Sequence, residues 1–206
     1  FGEDGMSVKG KLVPAKHGRE QMPLKGKGFE RMDDEVTYTA SMDGKIEMQN
    51  DRIVVLPVHE VSGNAELAEG NIDFRGDIVI HGNVESGVSI RATGSITIDG
   101  VAEACMLEAG KDIILRGGML GGNKASVKTK GAITAKFFEF TNILCEGDLQ
   151  ADVLMDCSVI CHGQIRLTGR KGSIIGGKVQ AIRGLIATSL GNDAEKRTEI
   201  FVGAGI

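Results

Sequence analysis

Four groups of residues in this 206-residue chain have side chains that could do chemistry. The first is Cys157-Ser-Val-Ile-Cys161-His162. Zinc takes four converging ligands, usually from closer pairs, and no second pair stands at a suitable spacing. Along a strand, Cys157, Val159 and Cys161 share one face, so burial as core thiols accounts for them. The second is Gly172-Ser-Ile-Ile-Gly-Gly177-Lys178, which approaches the phosphate loop GxxxxGK[ST]. Val179 stands where that loop needs its Mg²⁺-binding hydroxyl, and no amphipathic helix follows to present an N-terminus to phosphate. The third is His81, placed where an acyltransferase of the hexapeptide class keeps its base, though a corner histidine is the commoner case. The fourth is Asp73, Asp77, Asp99 and Asp112, beside glycines at strand starts. Paired carboxylates can do acid/base or metal work, but Asp next to Gly usually hydrogen-bonds its own backbone in a turn. No catalytic, cofactor-binding or metal-binding residue is assigned, and no cofactor is expected.

The elements that must position these groups follow an unusual beat. In NIDFRGDIVIHGNVESGVSIRATGSITIDG (71–100), Ile72, Ile78, Val84, Ile90 and Ile96 recur every six residues. Gly76, Gly82, Gly94 and Gly100 keep step, while Val88 occupies one glycine slot and Gly87 stands one place early. Residues six apart fall on separated faces of an α-helix, so the beat is that of a β-solenoid. Each short strand would point an aliphatic side chain inward, and each Gly would turn a corner at positive φ. After Gly100 a longer period survives: SITI at Ser95, DIIL at Asp112, AITA at Ala132, DLQA at Asp148, QIRL at Gln164, and KVQA at Lys178 or GLIA at Gly184. With DIVI at Asp77 this gives about seven rungs, a stack on the order of 30 Å tall. Ile78, Val84, Ile90, Ile96, Ile113, Ile133, Leu149 and Ile165 should point inward. The pairs Gly121-Gly122 and Gly176-Gly177 should mark bulged corners.

The uneven rung length and the general preference of parallel crossovers favour a right-handed coil. The expected fold is all-β: a single-stranded right-handed parallel β-helix over 61–206, with a small β-rich cap or lead-in over 1–60. In that lead-in, VTYTASMDGKIEMQNDRIVVLPV reads as strands with turns at Asp43-Gly44 and Asn50-Asp51. A first rung exposes strand edges that such a cap can cover. In KFFEF, two of Phe137, Phe138 and Phe140 share a face, and an exposed one would mark a lateral contact.

Composition narrows the function. The net charge of −4 and the low aromatic content, 4%, lack the basic stripe and stacking rings of a nucleic-acid binder. Four cysteines without close CxxC pairs read as reduced, buried thiols of a cytoplasmic protein. No apolar run reaches the length of a membrane helix, so no membrane insertion is expected. The start at Phe1 and the stop after GAGI read as a fragment of a longer protein.

The run GNIDFRGDIVIHGNVESGVSIRATGSITIDGVAEACMLEAGKDIILRGG, with GAITAKFFEF, the late IGGKVQA, the early PAKHGRE and the approach IVVLPVHEVSGNAELAEGNI, resembles the flagellar assembly protein A family. The resemblance covers nearly the whole chain. It implies a right-handed β-helix inside a longer bacterial, cytoplasmic protein, with another domain before it and a helical, coiled-coil-prone segment after it. It also implies a link to flagellar placement or assembly. An older description of that family as a polymerase with a palm domain finds no helices or clustered acids here. With no agreed catalytic motif in the family, no active-site residue carries over. The hexads are also similar to the β-helical half of the septum-site cell-division inhibitor and to bactofilins, a likeness of fold alone.

The expected function is a non-enzymatic scaffold that self-associates as a homo-oligomer and docks protein partners through a flat face or an end. The alternative from the enzyme class is a hexapeptide-like acyltransferase or a saccharide-acting β-helix, with His81 as base.

Overall fold

A computed structural model of the chain describes residues 3–15 and 22–203; most of PAKHGRE (16–20) and the last three residues of GAGI lie outside the described residues. The β-branched tetrads between glycines form short parallel strands, stacked in two long sheets. Val58–Val61, Asp77–Ile80, Ile96–Ile98, Ile113–Leu115, Ile133–Ala135, Leu149–Ala151, Gln164–Leu167 and Gly184–Ile186 make the first face. These eight strands give eight coils where the sequence suggests about seven. VHEV at Val58 lies before the hexads begin and supplies the extra one. GLIA at Gly184 belongs to this face, whereas KVQA at Lys178 lies on another.

The chain next crosses a narrow second face. Here Ala65, Val84 and Ala102 are stacked, followed by Met119, Phe138, Leu154, Ile174 and Leu190. The third face carries Ile72–Phe74, Ser89–Ala92, Met106–Ala109, the later parts of Met119–Thr129, Phe137–Cys145, Val153–Cys161 and Ser173–Ala181, and finally Thr198–Val202. Among the described residues the one helix is a 3₁₀ turn, Leu67–Glu69, and no helix is long and apolar enough to cross a membrane.

Parallel pairing places each inward residue over its equivalent one coil earlier: Ile78, Ile96, Ile113, Ile133, Leu149 and Ile165 form one such ladder. These six, with Val84 and Ile90, are fully buried, as their hexad positions require. Val88 is fully buried too, and Gly87 beside it takes φ 90°, which explains the displaced glycine.

The other hexad glycines act differently from the expectation. Gly82, Gly94 and Gly100 do not adopt positive φ. They stack in columns in which each N–H donates to a glycine carbonyl one coil earlier, Gly94 to Gly76 at 2.8 Å and Gly100 to Gly82 at 3.0 Å. A Cβ on Gly100 would lie 2.5 Å from the Gly82 oxygen, and one on Gly147 2.6 Å from that of Gly131. Close approach of backbones excludes a side chain at these corners.

The corner between the second and third faces is where positive φ is needed. Ala104 (34°), Asn123 (60°), Phe140 (46°), Asp156 (50°) and Gly176 (71°) bend five successive coils there. Gly122 and Gly177 join them, so both glycine pairs lie at this corner. The left-handed residue breaks strand alternation. Phe138 points inward and is fully buried, but Phe140, two places on, is turned outward and 36% exposed. Phe137 lies over Gly118 on the outside. No two of the three phenylalanines therefore share the core face, because the bend reverses the parity that a straight strand would keep.

Before residue 57 the strands are short, and Val55 is the one buried residue among those described. Lys45–Gln49 pairs antiparallel with Arg52–Leu56 around Asn50 and Asp51, both at positive φ. Asp43-Gly44 closes no hairpin: Tyr38–Ala40 pairs back with Phe29–Arg31, where the Phe29 and Tyr38 rings meet edge-on at 5.5 Å. None of these strands joins the two solenoid sheets.

Two substitutions test this packing. Ile96→Asp buries an unpaired charge among fully enclosed side chains and should abolish cooperative unfolding by circular dichroism. Gly147→Ala should keep the fold but cost about 1–3 kcal/mol in denaturant unfolding, the usual range for forced overpacking.

Candidate functional site

At the corner between the first and second faces, side chains from successive coils form a charged column. His81 Nδ1 lies 2.9 Å from Asp99 Oδ2, and Nε2 lies 2.8 Å from Glu60 Oε1. Arg116 Nε stands 3.4 Å from Asp99 Oδ1. On the other side Lys45, from the lead-in hairpin, pairs with Glu60 and lies 3.4 Å from Glu47. Stacked coils bring these groups together: His81, Asp99 and Arg116 follow strands Asp77–Ile80, Ile96–Ile98 and Ile113–Leu115 at the same step.

The electrostatics follow from the contacts. Hydrogen bonds to Glu60 and then Asp99 raise His81 above its ordinary 6.5. Those from Lys45 and then His81 hold Glu60 below its ordinary 4.5. With a carboxylate at each ring nitrogen, the imidazole is favoured as a cation donating at both ends. An acyl-transfer base needs a neutral nitrogen facing substrate, and in this arrangement neither nitrogen is free. The geometry makes His81 a clamp between three coils.

An open cleft of about 500 Å³ lies beside this column, lined by Lys45, Val58, His59, Glu60 and Phe74 among others. His59 occupies the core ladder above Ile78, and at the first coil its ring is exposed and stacks on Phe74 at 5.5 Å between centroids.

The remaining candidates are dispersed. Cys157 and Cys161 point into the core while His162 faces solvent, so the three do not converge. Burial pushes Cys157 up to about 11 and Cys105 up to about 12. Cys145 lies over Cys161, and that contact together with burial raises its thiol well above the ordinary value. All four cysteines are free thiols. Among the described residues no group of three or more His, Cys, Asp or Glu is placed to hold a metal ion.

Gly172–Lys178 forms strand and bulge, and Lys178 Nζ sits 5.1 Å over the Phe201 ring. Asp77 and Asp112 accept from Ser95 and Ala132 N–H of the next coil at 2.7 Å, rather than from their own turns as expected. Asp148 does the same for Gln164. Asp73 faces outward from Ile72–Phe74.

Two features escaped the sequence reading. One is the clamp itself, although His81 and Asp99 are 18 residues apart, one coil of the hexad region. The other is the outward ladder of the third face: Asp73, Arg91, Glu108, Lys128, Leu144, Ile160, Gln180 and Phe201. Glu108 pairs with Arg91 at 3.3 Å and Lys128 at 3.6 Å. Beyond them come Leu144 and Ile160 and, past Gln180, Phe201, which are 37–44% exposed.

Stacked parallel strands, a ladder-built core and glycine-lined corners define a β-solenoid. The chain belongs to the Flagellar Assembly Protein A beta solenoid domain family, whose model matches residues 57–206, from the residue before the first solenoid strand onward. The family is named for flagellar assembly, and its description names no reaction. Neither the curated proteins nor the solved structures give a match.

The clamp predicts a pH signature. Its His81 contribution to stability is complete below pH 6.5 and is lost as pH rises through the raised folded value. Its Glu60 contribution is present above pH 4.5 and is lost as pH falls through the lowered folded value. An NMR titration should put the His81 midpoint above 6.5, and Glu60→Gln should lower it; a midpoint at or below 6.5 in the unaltered protein would mean that the clamp does not form.

Proposed function

We propose that this domain is a non-enzymatic scaffold for flagellar assembly or placement, docking protein partners on the third face of its solenoid. The observation that carries the reading is the change of character along the outward ladder. In the early coils Glu108 is paired within the chain with Arg91 and Lys128. In the later coils Leu144 and Ile160 leave apolar surface side by side on the sheet, with Phe201 beyond Gln180 and under Lys178. Such a stripe is suited to a protein partner, and the net charge of −4 favours protein over nucleic acid. Family membership supports the flagellar context. The four buried free thiols fit a reducing cytoplasm, with self-association a further use of the same scaffold.

A photo-reactive phenylalanine analogue at Ile160, introduced into the intact chain in its own cell, should give discrete protein adducts. The same group at Thr134, outward on the first face, should give few. Equal labelling at both positions, or none at Ile160, would overturn the assignment of this face.

A further inference from the structure

The outward positions of the narrow second face change character partway along the stack. Glu66, Glu85 and Glu103 hold the same step of three successive coils, all exposed. Leu120, Glu139, Met155 and Ile175 follow at that step, and beside them Val153 stands over Phe137. Leu120 is 41% exposed, while Phe137, Val153, Met155 and Ile175 are half-buried. Their neighbours Met119, Phe138, Leu154 and Ile174 fill the core, so these outer apolar side chains have no part in it. The patch ends no ladder: Glu103 precedes it, and Ser189–Leu190 lies over Ser173 and Ile174 one coil later. One side of the patch is cationic. Lys136 immediately precedes Phe137 at the corner between the first and second faces, and Arg170 and Lys171 stand in the loop at that corner two coils on. Asp152 Oδ1 accepts from Gly172 N–H at 2.9 Å and Lys171 N–H at 2.8 Å, which fixes the loop and commits that carboxylate. Lys136, Arg170 and Lys171 are exposed and, like the three glutamates, outside the ion pairs among the described residues. On the other side Lys196 is already paired with Asp156.

We propose that this patch docks a short acidic segment of another protein, with aliphatic side chains against Leu120, Phe137, Val153, Met155 and Ile175 and carboxylates against Lys136, Arg170 and Lys171. The inference goes beyond the third-face reading and rests on the solenoid being a docking scaffold. Charge complementarity selects the partner. Cations without acids of their own are matched by carboxylates, and an adjoining apolar strip keeps water from the pairs. The stripe of Glu66, Glu85 and Glu103 repels the same segment from the first three coils, so it sets where along the face the segment lies. Glu139, half-buried between Leu120 and Met155, is the one acid within the patch and calls for a neutral or cationic residue at the matching place. From Leu120 to Ile175 the patch crosses four coils, about 14 Å at roughly 4.8 Å per step, which suits one segment of chain rather than a whole domain.

The test is fluorescence anisotropy of labelled synthetic peptides with the intact chain. A short peptide of Leu and Glu should bind, and peptides with Lys in place of Glu, or Ser in place of Leu, should bind at least tenfold more weakly. Arg170→Glu with Lys171→Glu should weaken binding of the Leu/Glu peptide at least tenfold with an unchanged far-UV spectrum, since both residues are exposed. Ile160→Glu should leave that binding unchanged. Raising salt from about 0.05 M to about 0.5 M should weaken it, because exposed charges are screened. No binding of the Leu/Glu peptide at millimolar concentration, binding no tighter than that of the Leu/Lys peptide, or binding indifferent to Arg170→Glu with Lys171→Glu would overturn the proposal. So would self-association in sedimentation that the same double substitution abolishes, because a second copy would then occupy the patch. Each of these failures leaves the Ile160 adducts untouched and the third-face reading standing; loss of those adducts with peptide binding intact would sink the third face alone.

Discussion

The main-chain hydrogen bond between successive parallel coils is the interaction on which the rest of this molecule depends. It spaces the coils by about 4.8 Å and sets each residue over its counterpart one turn earlier. Inward positions thereby become aliphatic ladders, and corner positions become columns where one backbone rests on another, as Gly100 rests on Gly82. Even polar side chains serve this spacing. Asp77, Asp112 and Asp148 reach along the stack to satisfy N–H groups that the corners leave without a carbonyl.

The same spacing explains what the sequence reveals. Between Asn71 and Gly100 the coils turn without added residues, so equivalent positions recur at a fixed interval and the inward set from Ile78 to Ile96 can be read directly. Later coils bend through left-handed residues, and alternation fails at that point. Phe140 looks inward by parity with Phe138 and is outward in fact. Glycine is ambiguous in a different way. Gly76 and Gly82 could be corners of either kind, and only the approach of a neighbouring backbone distinguishes freedom of φ from lack of space.

The candidate site is less legible because its parts come from unlike regions. His81 and Asp99 belong to the repeat, and their separation by one coil signals contact. Glu60 stands on the first strand, ahead of the hexads, and Lys45 on a hairpin with no repeat of its own. Nothing in local spacing links that hairpin to the corner. The outward ladder was hidden for a related reason: Leu144 and Ile160 look like ordinary strand aliphatics until the register shows that they share a face with Arg91 and Lys128.

The corner between the second and third faces absorbs changes in chain length. Met119 and Ala125 stand over Phe138 and Thr141, so one coil carries three more residues there than the next. In the last coil Leu190 and Thr198 stand over Ile174 and Gly177, a surplus of five. The corner between the first and second faces also grows, since Leu167 and Ile174 stand over Ala151 and Leu154, a surplus of four, whereas the corner between the third and first faces, where Gly94 rests on Gly76 and Gly147 on Gly131, keeps one length throughout. A solenoid of this kind therefore has two plastic seams and one fixed one. Sequence can be inserted along the plastic seams without a single inward ladder losing its register.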